Sequence, residues 1–353
     1  MGILTFAKFI DDKRLLGAKM TIDPLFFHRT KIAVDALLFA NAYFSIAAKS
    51  VEPLKIQIDR AELRNRFLYR STRGINKILR MKITPIFIFD GPRRIEKLDT
   101  SKERFEKRMK AEEQRLQLIK DYEDIVSPSS TEKAFYITAL EKKIAVSVKI
   151  DSDDICSFKN MLEIVGIPCL TALHDGEELC ASLNRERKVI GGYTKDTDLL
   201  VHGAPIQIRN ISPSKIEITS LEIILEKTGW TMNQFVDYCI TCSCDFNVNI
   251  KGIGPKTAWK LIDEYKSIDK FPKKYRKIDL DTSILKYESC REIFRCKMSS
   301  EICTDSLDDS DLEIKKDKLI EARDSLNLLG QGNWIDDLLG LYENLGLPIG
   351  TLI

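Results

Sequence analysis

Acidic side chains stand at the ends of three short apolar segments of the sequence. They are Asp35 at the end of KIAVD (31–35), Asp90 at the end of PIFIFD (85–90), and Asp196 and Asp198 just after KVIGGYT (188–194). If these segments are parallel strands of one sheet, their carboxyl ends meet at the edge where open α/β folds place ligands. We therefore expect the four carboxylates to converge.

Further acids extend this set to seven. Asp175 and Glu177 fall at the start of a helix-patterned segment, and Asp245 follows another one. So many carboxylates cannot stay ionised together without cations, and oxygen ligands suit hard ions such as Mg²⁺ or Mn²⁺. Two such ions ~4 Å apart would activate a water and stabilise the attacking and leaving oxygens of a phosphodiester. Each acid alone also suits a helix cap or a turn, so this nuclease chemistry depends on the whole set.

A glycine-rich turn lies just after Asp245, in the segment GIGPK (252–256). Glycines let backbone N–H groups approach a phosphate closely, and Pro255 suits the first turn of the next helix. The turn is similar to the hairpin of helix-hairpin-helix modules, which grip duplex backbone without reading bases. A plain turn between two helices is the alternative.

The composition favours an ordered globular chain with a basic body. Of the 353 residues, 44% are hydrophobic and 31% charged, so a sizeable core can form. Residues 301–353 hold 12 acidic and 4 basic residues, whereas the remainder holds 51 basic and 41 acidic ones. Basic residues concentrate in 93–110 and in KFPKKYRK (270–277). Such patches suit a polyanionic partner or a nuclear localisation signal, although either alone also fits a solvated helix face.

The cysteines and the hydropathy point to a reducing compartment. Nine scattered cysteines fit free thiols better than a disulfide framework. Zinc is not expected at Cys239, Cys242 and Cys244, because no second Cys-x-x-Cys accompanies them. The most apolar stretch, residues 32–48, is short of a membrane span, so no membrane association is expected. We expect an intracellular protein of the nucleus, or of the host nucleus or cytoplasm if a virus encodes it.

Strand-like and helix-like segments alternate along the chain, which indicates an α/β fold with a mainly parallel central sheet. The predicted strands are 31–35, 85–90, 166–172, 188–194 and 205–211, and the predicted helices are 36–48, 157–165, 177–184, 220–228 and 233–243. Residues 97–149 are charged, helical in composition and broken by SPSST (127–131), so we expect a helical insertion there.

In their order, these motifs resemble the XPG-type structure-specific 5′-nuclease family, and most of all the flap endonucleases. The matching segments are the opening MGI (1–3), IAVDA (32–36), PIFIFDG (85–91), GIPCL (166–170), TKDTD (194–198), QFVDYCI (234–240) and IKGIGPKTA (250–258). The resemblance covers residues 1–110 and 150–265. It implies a PIN-like/5′-nuclease fold with a helical arch insertion and a helix-two-turn-helix motif that binds DNA.

The resemblance also implies roles for individual residues. Two Mg²⁺ ions, for which Mn²⁺ can substitute, would be bound by Asp35, Asp90, Asp175, Glu177, Asp196, Asp198 and Asp245. Lys97 and Arg104 match the basic pair that contacts the scissile phosphate at the base of the arch. Gly252, Gly254 and Lys256 match the duplex-binding turn, which usually holds K⁺. The implied regions are 1–96 and 151–245 for the nuclease, 97–150 for the arch, 246–290 for duplex binding, and an acidic 291–353 of unknown role.

Three departures from the family pattern stand out. Asp175 replaces a glutamate, and Glu178 next to it could compensate for the lost methylene. Ser243-Cys244 replaces Gly-Ser, a conservative change in size. The base-stacking aromatic of the family falls near Asn41, so Phe39, Tyr43 or Phe44 must substitute for it or the contact is missing. A sliding-clamp peptide within QGNWIDDLL (331–339) is only weakly suggested, because its spacing is off and its aromatic pair is absent.

The sequence therefore predicts a Mg²⁺-dependent 5′-flap endonuclease that acts on branched or flapped DNA in replication or repair. A 5′–3′ exonuclease of the same family could use the same carboxylates. A non-catalytic nucleic-acid scaffold is the rival from another class. The simplest alternative is an α/β domain whose acids are caps and surface groups.

Overall fold

The computed structural model of the chain describes residues 15–95 and 98–295. Those residues form two compact units, each assembled from separate stretches of the sequence. The first unit contains residues 15–36, 81–95 and 170–295, and the second contains residues 37–80 and 98–169.

A seven-stranded sheet organises the first unit. In chain order its strands are β1 (Lys19–Ile22), β2 (Lys31–Asp35), β3 (Thr84–Phe89), β4 (Cys169–Thr171), β5 (Gly192–Tyr193), β6 (Ile206–Ser212) and β7 (Lys215–Ser220). In space the order is β1-β7-β6-β5-β2-β3-β4. The pairs β3–β2, β2–β5 and β5–β6 are parallel, whereas β7 pairs antiparallel with both β6 and β1. The sheet is therefore mainly parallel, as the alternating pattern predicted.

The strands at the centre are the most apolar segments of the chain. In β2, Ile32, Ala33 and Val34 are completely buried, and in β3 the residues from Pro85 to Phe89 are buried. Strands covered on both faces read as continuous apolar runs rather than alternating ones. This is why the sequence located them correctly.

Helices of the first unit pack into a core of their own with three aromatic rings at its centre. The helices are α6 (Gly176–Arg185), α7 (Asp198–Val201), α8 (Leu221–Thr228), α9 (Met232–Thr241), α10 (Pro255–Tyr265) and α11 (Tyr287–Phe294). The ring centroids of Trp230 and Trp259 lie 4.7 Å apart, and Tyr238 lies 5.2 Å from Trp230. Aromatic pairs at such separations stabilise a core beyond the area they bury.

An ion cluster ties α9 to α11. The guanidinium of Arg291 donates to Asp237 at 2.7 and 2.6 Å and to Asp269 at 2.8 Å. Asp237 is 3% exposed and also accepts a hydrogen bond from the backbone N–H of Ile268. A buried carboxylate is retained at low cost only when it is paired in this way.

The second unit is helical. Its helices are α1 (Ala36–Ala48, which begins at the end of the first unit), α2 (Arg60–Leu79), α3 (Leu98–Glu123), α4 (Ser130–Ser147) and α5 (Ser152–Ile164). Two arginines of α2, Arg60 and Arg64, bind the fully buried carboxylate of Asp154 on α5. Ser129 and Glu132 form a capping box that starts α4. The expected helical segment after residue 97 is thus two helices, separated close to the predicted SPSST break.

In the ranges that the structure describes, no helix combines the length and the apolar composition needed to cross a bilayer.

A small antiparallel hairpin, β8 (Lys274–Tyr275) with β9 (Ile278–Asp279), completes the first unit. The sequence had indicated only a basic patch at this position.

Candidate active site

Three of the predicted acids form one hydrogen-bonded chain at the carboxyl ends of β2 and β5. The hydroxyl of Thr194 donates to Oδ2 of Asp35 at 3.0 Å and accepts from the backbone N–H of Asp196 at 3.0 Å. Oδ1 of Asp196 accepts from the backbone N–H of Asp198 at 3.1 Å. The amide of Gln207 on β6 holds this turn through the carbonyls of Asp196, at 2.6 Å, and Thr194, at 3.3 Å. The strand ends therefore bring the carboxylate of Asp35 next to the turn that carries Asp196 and Asp198.

Asp90 follows β3 and points at the start of α6. Its Oδ1 accepts a 2.8 Å hydrogen bond from the backbone N–H of Gly176. A Cβ at position 176 would lie only 2.9 Å from that oxygen, so glycine permits the close approach. Because β2 and β3 are paired with Asp35 opposite Ile88, Asp35 and Asp90 lie at the same sheet edge.

The negative charges of three of the acids act on the buried thiol of Cys180. Burial is the main cause that raises the pKa of this fully buried thiol, and the negative charges of Asp35, Glu177 and Asp90 raise it further. Carboxylates contributed by β2, β3 and α6 thus act on one point inside the first unit.

Asp175 occupies the N-cap position of α6, but its carboxylate makes no capping hydrogen bond. The side chain instead accepts from Nε of Arg94 at 3.2 Å, and Nη2 of the same arginine donates to Glu178 at 2.9 Å. Asp175 is 6% exposed and Glu178 is 1% exposed. Sequence reasoning missed Arg94, whose only signal was its place in a basic segment.

Asp245 lies in the turn after α9, and Ser243, two residues before it, adopts an unusual backbone conformation. Ser243 has φ +78°, in the left-handed region that favours glycine. The backbone N–H of Cys244 donates to Oδ1 of Asn247 at 2.8 Å, which closes the turn. The change from the family's Gly to Ser243 is therefore conservative in size but not in conformation. The side-chain hydrogen bond with Cys290 is the main cause that raises the pKa of Cys244, and burial and the negative charge of Asp198 raise it further.

The donor set suits a hard divalent ion that keeps part of its water shell. Within residues 15–95 and 98–295, no group of three or more His, Cys, Asp or Glu side chains is arranged to hold a metal ion. Mg²⁺ retains several waters and needs only one or two protein carboxylates, so a fully closed cage is not required. Oε1 of Glu178 is a buried carboxylate oxygen that accepts no hydrogen bond within the described residues. Oxygen donors in this state fit Mg²⁺ or Mn²⁺ chemistry.

Cys239, Cys242 and Cys244, at which zinc was not expected, are buried in the core of the first unit. Burial raises the pKa of Cys242 to about 12 and that of Cys239 well above its usual range. These residues therefore behave as small core side chains.

Not every predicted site residue can be placed. Lys97 and the weakly suggested clamp segment 331–339 lie outside the described residues. Arg104 lies on α3 of the second unit and is partly exposed. The roles of Lys97 and Arg104 therefore stay predictions.

The residues considered as base-stacking aromatics are engaged inside the second unit. Phe39 and Phe44 are 4% and 3% exposed; Phe39 stacks with Phe158, and Phe44 makes an edge-to-face contact with Phe67. Tyr43 packs against Gly74, where a Cβ would lie 2.2 Å from the tyrosine ring. Asn41 is exposed on α1 and donates to the carbonyl of Leu37 at 2.7 Å. Of these positions, Asn41 is the one whose side chain faces solvent.

The glycine turn before α10 has the geometry of a tight backbone turn. Gly252 has φ +87°, and Gly254 is the N-cap of α10 with Pro255 in its first turn. A Cβ at Gly252 would lie 3.4 Å from Ile278, so the β8–β9 hairpin packs beside the turn. Exposed basic side chains surround both elements, namely Lys251, Lys256, Lys260, Lys273, Lys274, Arg276 and Lys277. The glycine turn and the basic segment 270–277 are thus parts of one surface.

Comparisons with known proteins agree with this arrangement. The XPG N-terminal domain family matches residues 1–111, and the XPG I-region matches residues 166–245. Flap endonuclease 1 of Entamoeba dispar is 32% identical over 295 residues, which cover 82% of this chain and 73% of that protein. Flap endonuclease 1 of Cryptosporidium muris is 29% identical over 283 residues, 76% of this chain but only 57% of that protein.

Solved structures show the same fold. The flap endonuclease-1 from Methanococcus jannaschii matches with a TM-score of 0.56 and 21% identity over 92% of this chain and 96% of that one. The catalytic core of Rad2 in complex with a DNA substrate matches with a TM-score of 0.55 and 21% identity, over 76% of this chain and 71% of that one. Taken with the carboxylates at the sheet edge, these similarities establish that the chain belongs to the XPG family of structure-specific nucleases.

Proposed function

We propose that this chain is a Mg²⁺-dependent 5′-flap endonuclease that cuts DNA near single-strand/duplex junctions during replication or repair. The observation that supports this most strongly is the hydrogen-bonded chain from Asp35 through Thr194 to Asp196 and Asp198. Buried acids at the carboxyl ends of parallel strands are suited to binding cations rather than to stabilising the fold.

In this proposal the seven carboxylates divide the work of holding two divalent ions. They are Asp35, Asp90, Asp175, Glu177, Asp196, Asp198 and Asp245. When bound, such ions activate a water and stabilise the oxygens of a phosphodiester. Thr194, Gly176 and Arg94 each donate a hydrogen bond to one oxygen of a carboxylate. Each bond fixes the orientation of the second oxygen of that carboxylate. Lys97 and Arg104 supply positive charge to the scissile phosphate.

The duplex would lie on the basic surface formed by the 252–256 turn, α10 and the β8–β9 hairpin. The exposed lysines and Arg276 there contact phosphates and carry no sequence information. The Gly252 turn offers backbone N–H groups and the N-terminus of α10 to the same backbone. A K⁺ ion at this turn belongs to the same proposal.

The experiment that tests the proposed function compares substrates under identical conditions. Purified protein is incubated with end-labelled 5′-flap, nicked, blunt duplex and single-stranded DNA in Mg²⁺, in Mn²⁺ and in EDTA. Fast cleavage near the flap junction that requires a divalent ion supports the proposal. Faster stepwise removal of nucleotides from nicked or blunt ends would instead indicate a 5′–3′ exonuclease. Binding without cleavage under every metal would indicate a nucleic-acid scaffold.

A further inference from the structure

We infer that Arg94 and Glu178 form a positioning pair that aims the carboxylate of Asp175 toward the divalent ion. This inference rests on the proposed metal-dependent function. Arg94 links the two acids with its planar guanidinium, donating to Asp175 at 3.2 Å and to Glu178 at 2.9 Å. In this inference the pair orients one proposed metal ligand, Asp175.

The burial of the three side chains separates their tasks. The side chain of Arg94 is 18% exposed, that of Asp175 9% and that of Glu178 2%. A carboxylate as buried as Glu178 needs a cationic partner, and Arg94 is the one in contact with it. Glu178 thus neutralises Arg94, which keeps the guanidinium in place.

The carboxylate of Asp175 is oriented by Arg94 rather than by a capping bond to its own helix. Although Asp175 stands at the N-cap of α6, its side chain makes no capping hydrogen bond. An aspartate is one methylene shorter than the glutamate that the family pattern has here. A fixed guanidinium on its Oδ2 gives this shorter side chain a defined direction.

The backbone that carries Arg94 is fixed to the segment that precedes α6. The N–H of Gly91 donates to the carbonyl of His174 at 2.7 Å, and Nδ1 of His174 lies 3.3 Å from the carbonyl of Pro92. A Cβ at Gly91 would lie 2.2 Å from the carbonyl oxygen of Ala172, so the two segments are in direct contact. The backbone just before Arg94 is therefore held against the segment just before Asp175.

The sharpest test removes the pair without changing the net charge. The double variant Arg94→Gln with Glu178→Gln loses one positive and one negative charge, so a simple electrostatic effect on a cation is small. We expect the dissociation constant for Mn²⁺, measured by calorimetry without DNA, to rise about 10- to 100-fold. Adding Asp175→Glu to the double variant should restore most of the affinity, because the longer side chain reaches the ion without support. Arg93→Gln is the matched control and should bind Mn²⁺ like the wild type.

The outcomes distinguish this inference from the proposed function beneath it. If the wild type binds no Mn²⁺, the proposed metal-dependent function fails. If the wild type binds and the double variant binds equally well, only the positioning role is overturned. Weakened binding that Asp175→Glu does not restore also overturns it, because the pair then acts through general stability. If the double variant does not fold, Arg94→Lys gives the same test, since it keeps the charge and loses the two-pronged geometry.

Discussion

The hydroxyl of Thr194 donates a 3.0 Å hydrogen bond to the carboxylate of Asp35, although the two residues are 159 positions apart in the sequence. The same oxygen accepts from the backbone N–H of Asp196. One side chain therefore couples acids from two different strand ends. Both its donor and its acceptor are used, so the hydroxyl fixes the spacing between the two acids.

Replacing Thr194 by valine should slow cleavage while the fold persists. Valine keeps the shape but leaves Asp35 and the backbone of Asp196 without their shared partner. We expect single-turnover cleavage of a 5′-flap substrate to fall about 10- to 100-fold, the usual cost of removing a group that orients a metal ligand. Thr194→Ser keeps the hydroxyl and should remain within a few-fold of the wild type. Equal rates for both variants would show that the bridge has no part in the reaction.

Asp90→Asn should abolish cleavage but preserve DNA binding. Asparagine can still accept the hydrogen bond from Gly176, so the start of α6 is expected to survive. One repulsive charge is lost near the DNA, so affinity should be unchanged or tighter. Fluorescence anisotropy with a flap substrate measures binding, and a gel measures cleavage. Glu226→Gln, on the exposed face of α8, serves as the control. If the Asp90→Asn enzyme still cleaves the substrate, Asp90 is not part of the active site.

Lys256→Ala should weaken duplex binding and reduce its salt dependence. A lysine that contacts one phosphate releases about one counterion, so the slope of log K against log salt should flatten by about one unit. The measurement is duplex affinity at several salt concentrations. Lys227→Ala, on the exposed end of α8, should leave the slope unchanged. A slope for Lys256→Ala identical to that of the wild type would exclude this lysine from the interface.

Ser243→Gly should stabilise the protein. Ser243 holds φ +78°, which costs a residue with a Cβ about 1 kcal/mol relative to glycine. The weak 3.4 Å bond from its hydroxyl to the carbonyl of Asn247 offsets little of that. We expect the free energy of unfolding in urea to rise by about 1 kcal/mol. Ser243→Ala keeps the strain and loses the hydroxyl, so a gain from alanine equal to that from glycine would rule out backbone strain as the cause.

Asp269 gives a stability change with a defined pH range. The hydrogen bond from Arg291, with help from Ser267, lowers the pKa of Asp269 well below its usual value of 3.8. A carboxylate with a lowered folded-state pKa stabilises the protein above pH 4 and loses that effect as the pH falls toward the lowered value. The side chain is half exposed, so Asp269→Asn should lower the melting temperature at pH 7 by only about 2 °C. That difference should shrink below pH 4, and Asp279→Asn is the control; a difference that does not vary with pH would contradict the assignment.

The parts of the fold that were predictable are those in which burial and sequence pattern coincide. β2 and β3 are covered on both faces, so their apolar runs and terminal acids could be identified directly. The edge strand β1 and its neighbour β7 were missed. In β7 the alternation of Ile216 and Ile218 with polar neighbours was present, but it is short and follows β6 after a tight turn.

The parts of the site that escaped prediction depend on tertiary contacts. Arg94 meets Asp175 across 81 positions of sequence, and neither residue type demands the other. The strain at Ser243 escaped because comparing side-chain sizes says nothing about φ. The same limit applied to Phe39 and Phe44, whose commitment to the core becomes visible only once α1, α2 and α5 are assembled.

Single-turnover cleavage of an end-labelled 5′-flap duplex by the wild type and by Asp196→Ala, with and without Mg²⁺, tests the central claim most directly. It examines the metal, the substrate and the carboxylate site in one gel. We expect cleavage near the junction by the wild type in Mg²⁺, and no cleavage in EDTA or by the Asp196→Ala variant. Cleavage that survives EDTA, or an Asp196→Ala enzyme that cuts at the wild-type rate, would contradict it.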